Sequence, residues 1–303
     1  MNQRTLKKAY TFEGKGLHSG NPVRMTLRPA AAGEGIAFLR TDKHVRIPAV
    51  AEYVARTSRS TSLASGRVSV STVEHVLSAL CGLGVDNALV ELSAPEVPIL
   101  DGSALPYAEA ILADGLAEQE VPRKELSIGE AVECRDEKSG SWIRITPAET
   151  LSFDITVDFN SRVLGVQKVH WDPSVDYAAQ IAPCRTFCFL HEIQWLATLG
   201  LVKGGDVKNA IVVVEKPVGP RVTAALARRF GQSGLGVTPA GYLNNLELRF
   251  PDERGRHKML DIIGDMFLVG GYLKARVEGY KPGHAINTKA AALLRQKIRG
   301  EVV

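Results

Sequence analysis

The chain has no uninterrupted apolar run near the roughly 18 residues that a membrane-spanning helix needs. Its first residues, MNQRTLKKAYTFEGKG, also lack the charged-then-apolar order of a secretion signal. Stable membrane insertion is therefore not expected, and a cytoplasmic location is. Four cysteines (Cys81, Cys134, Cys184 and Cys188) are too few for a disulfide framework in 303 residues, which agrees with a reducing compartment. No block of Lys or Arg accompanies the mild net charge of +4, so nucleic acid is not an expected partner, whereas an anionic small molecule is compatible. Short tandem repeats are missing. So are both phosphate-loop patterns, GxxxxGK followed by Ser or Thr and a strand-linked GxGxxG, and the glycines of GKGLHSG, GLVKGGD and GYKPGHAIN therefore read as turns.

What is present is the mix of a soluble globular protein, 45% hydrophobic and 23% charged, with length for two ordinary domains. Short alternating segments (AYTFEGKGLHSG, PVRMTLRPA, GIAFLRTD, VRIPAVAEYVA) predict strands joined by turns. STVEHVLSALCGLG predicts a helix with a glycine stop, NALVEL a strand and SALPYAEAILADG a second helix. The polar stretch EQEVPRKE reads as a linker, after which strands resume at ELSIGEAVECR, SWIRITPA and LSFDITVDF. Helices near FLHEIQWLATLG, RHKMLDIIGDMFLVGGYL and TKAAALLRQKI, with strands at NAIVVVE and KARVEGYK, complete the pattern. Strands followed by helices, twice over, predict an α+β fold with domains 1–121 and 122–303.

The stretch RHKMLDIIGD carries the first chemical signal. His257, Asp261 and Asp265 recur at four-residue spacing, so a helix places them on one face. A solvated polar face would explain that stripe, but Met259, Leu260, Ile262, Ile263, Met266 and Phe267 crowd the same helix. A helix apolar over that much of its circumference is buried, and a buried carboxylate needs a cation or metal. His257 and Asp261 would supply two of the three protein ligands of a catalytic zinc. His75 is a candidate third ligand and Glu74 beside it a candidate general base, while a core histidine and a Ser71-x-x-Glu74 capping box are the competing structural readings. Cys184, Cys188 and His191 form a weaker rival cluster that reads more readily as buried thiols. Lys281 and His284 flank a Pro-Gly turn after a strand, and His18 sits in a glycine-rich loop where no role is expected.

Taken together, STVEHVLSALCGLGVDNALVEL, EVPILDGSA, CRTFCF, GLVKGGD, LRFPDE, RHKMLDIIGD and GYKPGHAIN closely resemble the UDP-3-O-acyl-N-acetylglucosamine deacetylase family, in family order from about residue 4 to 290. The resemblance implies a zinc amidase that removes acetate from the acylated UDP-sugar in the committed step of lipid A synthesis in Gram-negative bacteria. It implies one zinc per chain, held by His75, His257 and Asp261, with Glu74 as general base. His284 matches a cationic histidine that stabilises the oxyanion or protonates the leaving amine, and Asp265 the carboxylate that holds it. Thr186 matches an oxyanion-binding hydroxyl, Phe187 the neighbouring aromatic and Lys258 a lysine lining the site, while Glu192 and Lys281 match positions that contact the nucleotide-sugar.

The implied fold has two domains of similar two-layer topology sandwiching the zinc. A βαβ insert near 190–214 would form the acyl passage, and the protein would act as a monomer. Three departures accompany the likeness. Cys184 and Cys188 replace Ala and Gly, Arg254-Gly255-Arg256 replaces a more apolar lead-in, and 215–245 is longer than the pattern and includes a basic helix at TAALARRFGQ. Two alternatives stay open: a zinc amidohydrolase of this fold acting on another N-acyl substrate, and a non-catalytic nucleotide-sugar-binding protein.

Overall fold

Alternating segments in the first part of the chain fold as strands because alternation gives each one apolar face to bury. The structure, a computed structural model, describes residues 1–192 and 209–300. β1 (Asn2–Leu6), β2 (Tyr10–Lys15), β3 (Pro22–Pro29), β4 (Ile36–Arg40) and β5 (Val45–Pro48) are followed by the short β6 (Val54–Arg56), β7 (Ser62–Ser65) and β8 (Val68–Ser71). Then come α1 (Glu74–Leu83), β9 (Ala88–Leu92), α2 (Leu105–Asp114) and β10 (Leu116–Pro122). A five-stranded sheet has the order β2-β3-β9-β4-β5, with β9 antiparallel to β3 and parallel to β4. Met25, Leu27 and Phe38 on its strands join Val76, Leu77 and Leu80 of α1 in one buried core.

The later part opens with β11 (Glu125–Ser127), β12 (Val132–Asp136), β13 (Ser141–Pro147), β14 (Ser152–Asp158), β15 (Val166–Trp171) and α3 (Tyr177–Gln180). It continues with β16 (Phe187–Phe189), β17 (Ile211–Val213), α4 (Pro220–Phe230), α5 (Glu253–Phe267), β18 (Tyr272–Tyr280) and α6 (His284–Ile298). Its main sheet runs β12-β13-β18-β14-β15, with β11 added in parallel to β18. Sheets of mainly antiparallel strands with helices packed against them make this an α+β fold, as the element pattern predicts.

α1 and α5 pack closely along one another. The approach depends on Gly264, since a Cβ there would collide with the Glu74 carbonyl and crowd the Ser78 amide. That contact brings the polar stripe of α5 against the first turn of α1, deep in the molecule: His257, Asp261 and Asp265 are each at most 2% exposed.

Several elements differ from expectation for identifiable reasons. The supposed linker EQEVPRKE is largely strand, because β10 runs to Pro122 and pairs antiparallel with β1; its side chains are polar because most of that stretch faces solvent. The α5 helix does not continue through LVGGYL. It ends at Phe267, where Gly270 takes φ 88° and β18 begins two residues later. β16 and β17 pair in parallel. Most of the expected insert near 190–214, including the GLVKGGD stretch, falls in 193–208 and lies outside the described residues. The predicted basic helix is α4, capped by Gly231 in the left-handed region. Among the described residues no helix is long and apolar enough to cross a membrane.

Candidate active site

The first turn of α1 and the polar face of α5 meet at His75, His257 and Asp261, whose ligand atoms lie within 4.8 Å of one another. His257 Nδ1 is 3.1 Å from the Cys184 carbonyl, which can only accept, so Nδ1 carries the proton and Nε2 is left as a free donor pair. Both Nε2 atoms face the same carboxylate oxygen, Asp261 Oδ1, at 3.7 Å from His75 and 3.5 Å from His257. Burial pushes His75 down to about 3 and lowers His257 as well, so both imidazoles are neutral, the form that ligates metals. Burial would raise Asp261, but the adjacent His257 ring and the Lys258 ammonium outweigh it and hold the carboxyl well below the usual range. Its Oδ2 accepts from Lys258 Nζ at 2.7 Å, whereas Oδ1 is buried with no hydrogen-bond partner. An unpartnered carboxylate oxygen between two neutral imidazoles is a cradle for a cation, and two imidazoles with one carboxylate match the donor chemistry of a catalytic zinc. Among the described residues this is the one such cluster; Cys184, Cys188 and His191 do not form another.

Beside it stands an acid–base pair. Burial pushes Glu74 up to about 7, against the opposing pull of His284. Burial alone would lower His284, but Asp265 and then Glu74 outweigh it and push the imidazole up to about 9. His284 Nδ1 is 3.0 Å from Asp265 Oδ2, and its Nε2 points toward Glu74 Oε1 at 4.0 Å. The capping box that competed with the general-base reading does not form: the helix N-cap is Val73, without a side-chain bond, and Glu74 Oε2 instead accepts from the Thr61 amide at 3.0 Å.

The cavity over these groups is about 240 Å³ and includes Thr186, Phe187, Lys258 and Glu192 in its walls. Lys258 also lies 5.6 Å above the Phe187 ring, and Phe187 meets His257 edge-on at 6.2 Å. Glu192 is 3.5 Å from Arg59 at the rim. Lys281 is not brought to this wall. At φ 51° past the end of β18, its ammonium rests 3.5 Å from Asp158 and over Tyr280. Cys188 does line the cavity, its thiol pushed up by burial to about 12, while Cys184 contributes its carbonyl.

Sequence reasoning missed several groups. Thr61 donates its hydroxyl to Asp265 Oδ1 at 2.6 Å and its amide to Glu74, bridging the two carboxylates from the strand-rich half. No local pattern marks it. Asn287 donates to Asp265 Oδ2 at 2.9 Å, and its position one turn after His284 on α6 is a signal that could have found it. His18, read as having no role, lines the cavity; Glu96 fixes its loop by accepting the His18 and Ser19 amides at 2.8 Å.

A model of the UDP-3-O-acyl N-acetylglycosamine deacetylase family matches residues 3–223 and 232–296. The stretch it passes over, 224–231, is the later part of α4 and its cap, inside the segment expected to be long. The UDP-3-O-acyl-N-acetylglucosamine deacetylase of Myxococcus xanthus is 44% identical over 292 residues, covering 95% of this chain and 84% of that protein. That of Saccharophagus degradans is 39% identical, covering 100% and 93%. The bifunctional enzyme LpxC/FabZ of Porphyromonas gingivalis is 42% identical over 98% of this chain, which spans 65% of that relative's length. With nearly every described element inside the matched span, the chain belongs to the UDP-3-O-acyl N-acetylglycosamine deacetylase family.

Proposed function

We propose that this protein is a zinc-dependent amidase that removes acetate from UDP-3-O-(3-hydroxyacyl)-N-acetylglucosamine, the committed step of lipid A biosynthesis, as a cytoplasmic monomer in a Gram-negative cell. The observation that carries the reading is the unpartnered Asp261 Oδ1 between two neutral imidazoles, with Glu74 and His284 alongside. His75, His257 and Asp261 would hold the metal. When bound, such an ion supplies Lewis acidity, making a nearby water more acidic and an amide carbonyl more electrophilic. Glu74, whose carboxyl is poised near neutrality, takes the proton of the attacking water. His284 is cationic with Nδ1 committed to Asp265, so Nε2 is the atom that donates to the leaving amine. The C–N bond breaks with acetate as one product and the sugar amine as the other. Lys258 and the Thr186 hydroxyl offer donors to the oxygen that gains charge.

Phe187 and Glu192 line the space for the sugar nucleotide, and Lys281 would reach its diphosphate on leaving Asp158. The halves 1–121 and 122–303 are read as two domains, and the segment near 190–214 as the acyl passage. The alternative, an amidohydrolase of this fold with another N-acyl substrate, draws on Cys188 in the cavity wall and on the unmatched 224–231. Acetate release from the acylated UDP-sugar, measured with metal content on the same sample and His257→Ala as control, decides. Release that tracks bound metal and needs His257 is expected; fully metallated protein that turns over only other N-acyl compounds favours the alternative.

A further inference from the structure

At the end of α1 remote from Glu74 lies a second cavity of about 430 Å³, which shares no lining residue with the active site. Much of its wall is apolar and aromatic, with Leu83, Leu151, Trp171, Tyr177 and Tyr272. Two cations, Arg4 and Arg123, face this hollow. Arg123 gives Nη2 to the Gly84 carbonyl and to Asp86 Oδ2, both at 2.7 Å, and stacks 4.9 Å over the Tyr272 ring. The Arg4 guanidinium lies next to it. A Cβ at Gly84 would fall on Arg4 Nη2 and come within 3.5 Å of Arg123 Nη2, so the left-handed glycine cap of α1 is what admits both.

The carboxylates near this pair already have partners: Glu118, opposite Arg4 in the β1–β10 pairing, accepts from Asn2 at 2.8 Å. Asp86 Oδ2 already accepts the Arg4 backbone amide at 2.7 Å as well as Arg123. Asp176, also on the wall, uses Oδ1 to cap α3 by accepting the Ala179 amide at 3.0 Å. Nε of Arg4, Nε of Arg123 and Nε1 of Trp171 are all buried without a partner. Donors without partners thus gather beside an aromatic hollow, a composition that suits an amphipathic anion.

We propose that this groove binds a small organic carboxylate carried on a flat apolar body. The carboxylate bridges Arg4 and Arg123, and the body lies against Trp171 and Tyr272. A carboxylate suits the site better than a phosphate dianion because a second negative charge would face Asp86 and Asp176.

The test is calorimetric titration of the full, metal-loaded chain with 1-naphthoate, its neutral isostere 1-naphthamide and inorganic phosphate. We expect one naphthoate per chain, with naphthamide at least tenfold weaker, phosphate alone not binding, and Arg4→Met weakening naphthoate at least tenfold. No side-chain hydrogen bond of Arg4 needs replacing in that variant. Should it not fold, Ala178→Trp on the same wall must reduce naphthoate binding instead. Equal binding of naphthoate and naphthamide, phosphate binding as tight as naphthoate, unchanged naphthoate affinity in the folded Arg4→Met protein, or no naphthoate binding up to about 1 mM would each overturn the assignment.

Discussion

The two ends of α1 are unfinished in opposite senses. At the Glu74–His75 end the buried atom without a partner is an acceptor, Asp261 Oδ1, faced by two imidazoles that burial keeps neutral. At the Leu83–Gly84 end the atoms without partners are donors on Arg4, Arg123 and Trp171. An acceptor among acceptors needs a cation, and donors among donors need an anion. The helix dipole favours the resident groups, carboxylates at its positive end beside Glu74 and arginines at its negative end. Depth separates the two. Asp261 is 2% exposed, closed over by α5, whereas the second hollow is walled by side chains such as Leu112 that are half in solvent.

The strongest way to break this contrast is at the acidic end. Glu74→Gln keeps the shape and the three proposed metal ligands, so acetate release should fall by about 10²–10⁴-fold while metal content stays at one per chain. A wild-type rate would remove Glu74 from the chemistry. Asp265→Asn leaves the ligands in place but takes away the charge that keeps His284 cationic, and should lower kcat by about 10–100-fold with little change in KM. Gly264→Ala acts on the packing between the ends. It forces α1 and α5 apart at an overpacking cost of about 1–3 kcal/mol, visible as a lower urea midpoint together with faster metal loss to a chelator.

The smallest effect comes from a surface counterpart of the His284–Asp265 pair. His170 sits between Asp172 and Asp154 at 3.0 and 2.8 Å, and those two carboxylates raise its pKa. A raised folded pKa means that the stabilisation is complete below the unfolded value near 6.5 and is lost as pH rises through the folded one. The urea midpoint of wild type should therefore exceed that of His170→Gln more at pH 5.5 than at pH 9. With the imidazole side chain 49% exposed, the difference should amount to only a few tenths of a kcal/mol. A larger value would mean that solvent screens this pair less than the contrast with buried His284 requires.

The site was legible where chemistry repeats along a helix. The spacing of His257, Asp261 and Asp265, set among Met259, Leu260 and Ile263, announces a buried polar stripe because helical geometry links sequence interval to direction. Glu74 was legible only as a choice between a cap and a base, since a capping box and a buried glutamate share one pattern; the Thr61 amide settles its partner. Thr61 itself reaches Asp265 across 204 positions, and long-range pairing of that kind leaves no trace in local periodicity. Edge strands were the hardest part of the fold to read. β10 is polar because solvent covers it, so a strand looks like a linker. Lys281 is the reverse case: its placement past a strand and before a turn reads as functional, yet the ammonium settles on Asp158.

The α1–α5 contact also bears on how the protein is made. His75 is synthesised long before His257 and Asp261, and on its own it offers a metal one weak handle. High-affinity capture must wait until α5 has emerged and Gly264 has let it settle on α1. Uptake of the proposed metal would thereby be tied to the stage of assembly that seats α5, and a chain truncated before α5 would hold that metal poorly.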